Sequence, residues 1–166
     1  MTASPAALYR PALGLLTDLY QLTMAAGLWH AGIAEREAVF HLFFRQAPFE
    51  GQYAVACGLE AAAGYLESLR FSEEDVAYLR GLTGANKRRL FDDAFLERLR
   101  TFSFACDVDA LPEGSLAFPH VPILRVRGPL WQAQLVETAL LTLLGFPTLI
   151  ATKAARVCQV AGGPVV

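Results

Sequence analysis

The chain has 166 residues, of which 54% are hydrophobic, and its 14 basic and 16 acidic side chains give a formal net charge of −2. This length fits one ordinary domain with a sizeable core. The mean hydropathy of +0.36 is high for an isolated soluble domain, which predicts that some apolar surface packs against something else. No block of basic residues supports nucleic-acid binding, and no uninterrupted apolar run of about 18 residues predicts a membrane span.

Cysteine usage and the first residues bear on the compartment. Cys57, Cys106 and Cys158 are far apart and odd in number, which favours a cytoplasmic protein over a secreted one. The start, MTASPAALYRPALG, lacks the basic and apolar regions of a signal peptide. The three histidines have no metal-ligand spacing with the cysteines, so the sequence predicts no metal site.

The first predicted helix begins at about Asp18. Apolar residues recur at helical spacing from Leu15 to Ala26. Asp18 and Gln21 have the spacing of a capping box, in which each side chain bonds an otherwise unpaired backbone N–H group. The sequence therefore predicts a helix whose start is closed by its own side chains.

A strand and further helices are predicted next. The aromatic run EAVFHLFFRQAP predicts a strand that Pro48 ends. After a turn at Gly51, apolar residues at helical spacing predict a helix up to Leu69. Ser72 and Asp75 form a second capping-box pattern at the start of a short helix. A later helical stripe consists of Phe95, Leu96, Leu99 and Phe102.

The last third of the chain begins with two strands. FSFACDVDALP and HVPILRVRG predict them, and PEGSLAFP between them is rich in turn formers. Pro129 is well placed at the first position of a helix. That helix, PLWQAQLVETALLTLLG, is apolar nearly all round, which predicts burial on more than one side before Gly145 ends it. A further helix, TLIATKAARVCQVAGG, has an apolar face of Ile150, Ala154, Val157 and Ala161.

The start of the first helix is a candidate ligand site. A tyrosine in a first helical turn offers a flat ring to an aromatic ligand, and the nearby N–H groups and positive end of the helix suit an anion. Tyr20 and Asp18 together therefore suit an aromatic carboxylate. The alternative is that Tyr20 is a half-buried packing residue and that Asp18 only caps the helix, a contribution of about 1 kcal/mol.

Other charged residues are weaker candidates. Arg45 ends an apolar strand, where a guanidinium is costly unless it reaches solvent or pairs with a carboxylate or phosphate. Lys153 and Arg156 share a helix face that either contacts phosphate or lies in solvent. Glu137, which is expected to be buried, is either a hydrogen-bonded structural acid or a catalytic base. Because dinucleotide-binding, P-loop and G-x-S-x-G motifs are absent, spacing alone leaves an α/β domain of unknown task.

Four long stretches carry a resemblance to a known family. LLTDLYQLTMAAGLW, VFHLFFRQAPFEGQYAVACGLE, LPEGSLAFPHVPILRVRGPL and QLVETALLTLLGFPTLIATKAAR follow in this order, from about Leu15 to Ala161. Together they resemble the N-terminal part of nicotinate phosphoribosyltransferase. The form TDLYQLTMA is similar to the nicotinate branch rather than to its nicotinamide relative. The region from about Leu82 to Asp93 is the least similar.

The resemblance implies an α/β fold in two parts. Residues 1–127 would be the α+β N-terminal domain of a type II phosphoribosyltransferase, and residues 128–166 the first helices of an incomplete α/β barrel. In the family the barrel supplies the catalytic histidine, so no catalytic residue is expected within this chain. His120 lies in FPHVP, which resembles an N-terminal turn of the family. The chain is expected to be an N-terminal fragment; the alternative is a non-catalytic module or remnant that folds only beside a barrel-supplying partner.

The resemblance also implies a reaction of NAD salvage. Nicotinate and phosphoribosyl pyrophosphate would give nicotinate mononucleotide and pyrophosphate, with ATP hydrolysis coupled through a phosphohistidine and with Mg²⁺ assisting. Tyr20 would stack on the pyridine ring in the neighbouring subunit of a homodimer, with Asp18 as its helix-capping companion. Arg45 would reach toward phosphate across the subunit boundary. The residues that carry over as structure are Glu137, Thr138, Lys153 and Arg156.

Overall fold

The computed structural model describes residues 13–163; residues 1–12, for which the sequence predicts no signal peptide, and residues 164–166 lie outside the described residues. Helices pack around a three-stranded and a two-stranded sheet. This mixture agrees with the predicted α/β class in its α+β form. The elements are α1 (Leu19–His30), β1 (Glu37–Leu42), a 3₁₀ turn (Pro48–Glu50), β2 (Ala54–Val55), α2 (Leu59–Ser68), α3 (Glu73–Gly81), α4 (Asp93–Arg100), β3 (Asp107–Ala110), β4 (Leu116–Ala117), β5 (Leu124–Pro129), α5 (Leu130–Leu135) and α6 (Glu137–Ala161).

The larger sheet is antiparallel and has the order β1, β5, β3. In the central strand, buried Leu124 and Val126 alternate with exposed Arg125 and Arg127, as expected for a strand with one face on the core. Both arginines form ion pairs with carboxylates of the neighbouring strands. The boundary predicted between residues 127 and 128 falls within β5, and the division into two domains stays a prediction.

The main core joins the helices to the buried face of this sheet. The predicted stripe on α4 is confirmed, because Phe95, Leu96 and Leu99 are fully buried and Phe102 is nearly so. Phe102 meets the ring of Trp131, on α5, edge to face at a centroid distance of 5.3 Å. Aromatic pairs of this kind contribute beyond the area that they bury. The contact ties α5 to the core beside α4.

The two predicted capping boxes have different outcomes. At α3 the prediction is confirmed, since the Ser72 N–H donates to Asp75 Oδ2 (2.8 Å) and the Asp75 N–H donates to Ser72 Oγ (3.1 Å). At α1 it is wrong, because Asp18 occupies the N-cap position without a side-chain capping bond. The Asp18 carboxylate accepts instead from the hydroxyl of Thr138 (2.8 Å), and Gln21 also bonds to that distant segment. Tertiary contacts of Asp18 and Gln21 with Thr138 therefore take the place of the predicted local capping bonds.

The helix predicted to end at Gly145 continues through it, and also through Pro147, as part of α6. Proline has no N–H group, so the carbonyl of Leu143 loses its usual helical partner. The backbone of Gly58 lies against that carbonyl, since a Cβ atom built on Gly58 would be only 2.2 Å from Leu143 O. The predicted stop is therefore wrong: the neighbouring segment packs directly onto the helix where proline interrupts its hydrogen bonds.

Two threonines attach α6 to β2. The Cys57 N–H donates to Thr148 Oγ1 (3.1 Å), and the Val55 N–H donates to Thr152 Oγ1 (2.9 Å). Both threonines are buried, so their hydroxyl groups need hydrogen-bond partners within the protein, and these backbone groups are among them. The sequence did not predict β2 or its partner β4, because each has only two residues and depends on pairing with the other.

The stretch that the sequence predicts to be buried on more than one side spans α5 and the start of α6. The prediction is confirmed for α5, where the consecutive residues 131–135 are buried, and it is wrong for α6, which is buried on one side only. Its apolar face around Ile150 and Val157 is exposed. By length and composition α6 is apolar enough to cross a membrane, and 28% of its apolar 18-residue stretch is buried. A helix from the core of a soluble protein passes the same test, so the expected absence of a membrane stays a prediction. The large exposed apolar residues of α6 are Leu141, Phe146, Leu149, Ile150, Val157 and Val160.

The close approach of Gly58 to α6 can be tested by substitution. Gly58 has φ +98°, a region that side chains disfavour. We expect Gly58→Ala to lower the free energy of unfolding by about 2–4 kcal/mol, through backbone strain and the clash with Leu143. Chemical denaturation followed by circular dichroism measures this change.

The matched control is Gly64→Ala, inside α2. A Cβ atom at Gly64 meets nothing within 4 Å, so this change should raise stability by about 0.5–1 kcal/mol through the better helix propensity of alanine. If Gly58→Ala is as stable as Gly64→Ala, the backbone of Gly58 does not contact α6 as described.

Candidate functional site

The starts of α1 and α6 meet at one place on the surface. Asp18 precedes α1, and Glu137 and Thr138 begin α6 after a break in the helical path at Val136. The Thr138 hydroxyl lies within hydrogen-bond distance of Asp18 Oδ2 (2.8 Å) and of Gln21 Oε1 (3.0 Å). The site therefore combines residues that are more than a hundred positions apart in the sequence.

Gln21 organises this contact from beneath. Its side chain is fully buried, with Nε2 donating to Glu137 Oε2 (3.1 Å) and Oε1 accepting from the Thr17 hydroxyl and lying 3.0 Å from the Thr138 hydroxyl. The amide of Gln134 donates to the Gln21 carbonyl (3.0 Å). A buried amide with its partners satisfied holds one geometry. The sequence interpretation assigned Gln21 only to a cap; a glutamine in an otherwise apolar helix stripe was the signal for a buried polar contact.

Tyr20 stands at the edge of this network with 49% of its surface exposed. Its hydroxyl donates to Glu137 Oε2 over 3.4 Å. Partial desolvation, followed by the negative charges of Glu137 and Asp18, raises the pKa of Tyr20 above its ordinary value. The hydroxyl therefore stays protonated near neutral pH, and the exposed ring is accessible to a flat ligand.

Glu137 is exposed, not buried as the sequence suggested. The apolar run of α5 is buried through Val136, but the break there leaves the next side chain at the surface beside α1. Its carboxylate accepts from both Tyr20 and Gln21. Glu137 is therefore part of the candidate site and not an acid of the core.

A groove of about 400 Å³ extends from Glu137 between the larger sheet and the helices. We call it the sheet–helix groove. Arg45 lies beyond Leu42, the last residue of β1, so it is in the following connection and not at the strand end that the sequence predicted. It is exposed and lines the groove, and it forms no ion pair with any residue in the range 13–163. The lining residues are Phe40, His41, Leu42, Phe43, Arg45, Leu124, Val126, Ala133, Glu137, Leu140 and Leu141.

Arg156 contacts a turn, and Lys153 is exposed with its ammonium group near the same turn. Arg156 Nη1 donates to the carbonyl of Phe49 (2.6 Å), and both cationic groups lie within 6 Å of the Phe49 ring, at 5.7 and 5.8 Å from its centroid. Gly51 leaves room for the guanidinium, since a Cβ atom there would be 1.9 Å from Arg156 Nη2. Phe49 and Glu50 both have left-handed backbone conformations. The two cations therefore stabilise a strained turn.

His120 and the thiols of Cys57 and Cys106 have structural surroundings. His120 belongs to a turn, where its backbone N–H donates to the Phe44 carbonyl (2.9 Å), and the centroid of its ring lies 5.7 Å from that of Phe43. Burial raises the pKa of the Cys106 thiol to about 11, and burial followed by Glu113 raises that of Cys57. Among residues 13–163, no cluster of three histidine, cysteine or acidic side chains is arranged to hold a metal ion.

Comparison with known proteins gives the family context for this geometry. The model of the nicotinate phosphoribosyltransferase (NAPRTase) N-terminal domain matches residues 15–145. The nicotinate phosphoribosyltransferase of Bos taurus is 50% identical over 149 residues, which are 89% of this chain and 27% of the relative. The enzyme of the same name from Bacillus subtilis is 47% identical over 153 residues, or 92% of this chain and 30% of the relative.

Solved structures agree with the sequence matches. The crystal structure of human nicotinic acid phosphoribosyltransferase superimposes with a TM-score of 0.81 and 47% identity, over 90% of this chain and 29% of that chain. The nicotinate-nucleotide pyrophosphorylase of Pyrococcus furiosus shares the fold, with a TM-score of 0.58 and 23% identity. The chain thus spans less than a third of the length of the relatives that it matches. It belongs to the nicotinate phosphoribosyltransferase family and contains the N-terminal domain of that family.

Proposed function

We propose that this chain is the N-terminal part of an enzyme that joins nicotinate to phosphoribosyl pyrophosphate, releasing nicotinate mononucleotide and pyrophosphate with coupled ATP hydrolysis. The observation that carries the proposal is the half-exposed ring of Tyr20, fixed at the start of α1 beside Glu137 in a chain of this family. Family membership supports the reaction, and the exposed ring supports a place for the pyridine. The pathway served is NAD salvage.

Tyr20 is proposed to bind the pyridine ring of nicotinate by stacking. Nearly half of its surface is open, while its hydroxyl is directed to the Glu137 carboxylate. An aromatic side chain that is held at one end and remains partly exposed presents ring area with little loss of side-chain entropy. Asp18 accepts from Thr138 and is proposed to fix the position of the helix start that carries Tyr20. It does so without a capping bond to α1.

Arg45 is proposed to bind a phosphate group of the phosphoribosyl substrate or product. It lines the sheet–helix groove with its guanidinium exposed. A planar guanidinium can make two parallel hydrogen bonds to phosphate, and such charge-assisted pairs are stronger than neutral ones. The absence of a carboxylate partner within residues 13–163 is consistent with an anionic ligand from outside this range.

The remaining parts of the reaction are assigned to groups beyond this domain. We propose that the working enzyme is a cytoplasmic homodimer in which Tyr20 and Arg45 enter the site of the neighbouring subunit. The phosphate-binding loops, the phosphohistidine, Mg²⁺ and ATP are assigned to a barrel domain, because this chain covers only 27–30% of two of its relatives. The exposed apolar side of α6 offers a surface on which such a domain can pack.

The role of Tyr20 can be measured in the complete product of the gene that encodes this sequence. We expect Tyr20→Ala to weaken nicotinate binding by about 1–3 kcal/mol, because ring area and stacking are lost. Tyr20→Phe keeps the ring and should cost less. Isothermal titration with nicotinate gives both values. Tyr78→Ala, at an exposed tyrosine on α3, serves as the control, and unchanged affinity in Tyr20→Ala would remove the stacking role.

The role of Arg45 is tested by a substitution that keeps its charge. Arg45→Lys loses the planar fork, so the KM for phosphoribosyl pyrophosphate should rise by about threefold to tenfold, and more in Arg45→Ala. Steady-state kinetics with that substrate varied provides the measurement. Arg88→Lys, at an exposed arginine in the connection before α4, is the control. If both Arg45 variants match the wild type in KM and kcat, Arg45 is a solvated residue.

The third test concerns residues 1–166 alone. This chain should form no nicotinate mononucleotide from nicotinate, phosphoribosyl pyrophosphate, ATP and Mg²⁺, because stacking groups cannot replace the electrostatic stabilisation of the transition state.

The same chain should also associate through the apolar side of α6, and light scattering at several concentrations would detect this. Replacing Phe146 and Val157 with glutamine should reduce the association. Robust turnover, or a monomer at every concentration, would contradict these expectations.

A further inference from the structure

The carboxylate of Glu137 lies near the hydroxyl of Tyr20. Glu137 Oε2 is 3.4 Å from Tyr20 Oη and 3.1 Å from Gln21 Nε2, so one oxygen accepts from both side chains. The contact to Tyr20 is longer than the common hydroxyl–oxygen distance of about 2.8 Å. The contact to Gln21 determines where the oxygen lies.

The position of Glu137 is fixed from the buried side. Gln21 is fully buried, and its side-chain carbonyl oxygen lies at the hydroxyls of Thr17 and Thr138, which fixes the side on which its amide nitrogen lies. That nitrogen donates to Glu137. The chain of contacts therefore runs from the core, through Gln21 and Glu137, to the exposed ring of Tyr20.

The proposed reaction changes the charge of the ring that Tyr20 is proposed to bind. The lone pair of the pyridine nitrogen forms a bond to the anomeric carbon, and pyrophosphate leaves with the electron pair of the broken C–O bond. The ring is neutral before this step and a pyridinium cation after it. A group that binds the cationic ring better than the neutral ring lowers the barrier, because it favours the transition state over the substrate.

We propose that Glu137 is a positioning residue that fixes the Tyr20 hydroxyl and makes the Tyr20 ring a better partner for the pyridinium than for neutral nicotinate. A phenol that donates to a carboxylate carries more electron density on its ring, and an electron-rich aromatic face attracts cations. This inference rests on the proposed function, since it requires that Tyr20 meets the pyridine ring.

A purely structural role for Glu137 predicts a different result. If Glu137 only joins α6 to α1, its replacement lowers stability and affects all ligands equally. Glu137→Gln separates the two roles, because the amide oxygen of the new side chain can still accept from Gln21 while the negative charge is lost. The fold should therefore be retained in this variant, and thermal unfolding checks that it is.

The test uses the complete gene product with Glu137→Gln, Tyr20→Phe, the double variant and Tyr20→Ala. Glu60→Gln is the matched control, since Glu60 is another exposed glutamate in the first turn of a helix. Isothermal titration gives the affinities for nicotinate and for nicotinate mononucleotide, and steady-state kinetics gives kcat and the KM for nicotinate.

We expect Glu137→Gln to weaken binding of nicotinate mononucleotide and to lower kcat by about threefold to tenfold, with less than about a twofold change for nicotinate. In the Tyr20→Phe background the same substitution should have little further effect, because the hydroxyl through which Glu137 acts is gone. The control should match the wild type.

Equal losses for nicotinate and its mononucleotide, or fully additive effects of Glu137→Gln and Tyr20→Phe, would overturn this inference and leave the proposed function intact. An unchanged affinity for nicotinate in Tyr20→Ala, or no turnover by the wild-type gene product, would instead overturn the proposed function together with the inference that depends on it.

Discussion

The buried amide of Gln21 is the contact on which the candidate site depends. It joins the start of α1 to the start of α6 through Glu137 and Thr138, and it has no access to solvent. An unpaired buried amide is costly, so loss of any partner would leave the other groups unsatisfied. The requirement to pair these groups places the side chains of Asp18 and Tyr20 beside Glu137 and Thr138, although short-range sequence rules assign Asp18 to a local cap.

The path of α6 is the second constraint, and it depends on hydrogen bonds with Val55 in β2 and with Cys57, two residues after that strand ends. Thr148 and Thr152 accept from the backbone there, and Gly58 approaches the carbonyl that Pro147 leaves without its helical partner. Because one side of α6 is attached in this way, the other side is left with exposed apolar residues. The helix that forms one wall of the sheet–helix groove therefore also presents an exposed apolar surface.

Sequence reasoning succeeded where structure is local and failed where distant residues compete. The Ser72 and Asp75 box was predictable because both partners lie within one turn. The Asp18 and Gln21 box has the same spacing, but Thr138 and Glu137 bind those side chains instead. Tyr20 was identified as a candidate from its place at a helix start. The exposure of Glu137 was not predictable, because it follows from the change of helical path just before it.

The sheet–helix groove is lined by side chains of opposite charge. Glu137 and Arg45 both line it. Other arginines, such as Arg100, Arg125 and Arg127, are paired with carboxylates, whereas Arg45 has no such partner among residues 13–163. In the proposed reaction positive charge develops on the pyridine and ribose while negative charge leaves with pyrophosphate. The carboxylate of Glu137 beside Tyr20 and the guanidinium of Arg45 elsewhere along the groove match that separation of charge. A surface that is neutral or carries charge of only one sign would not match it.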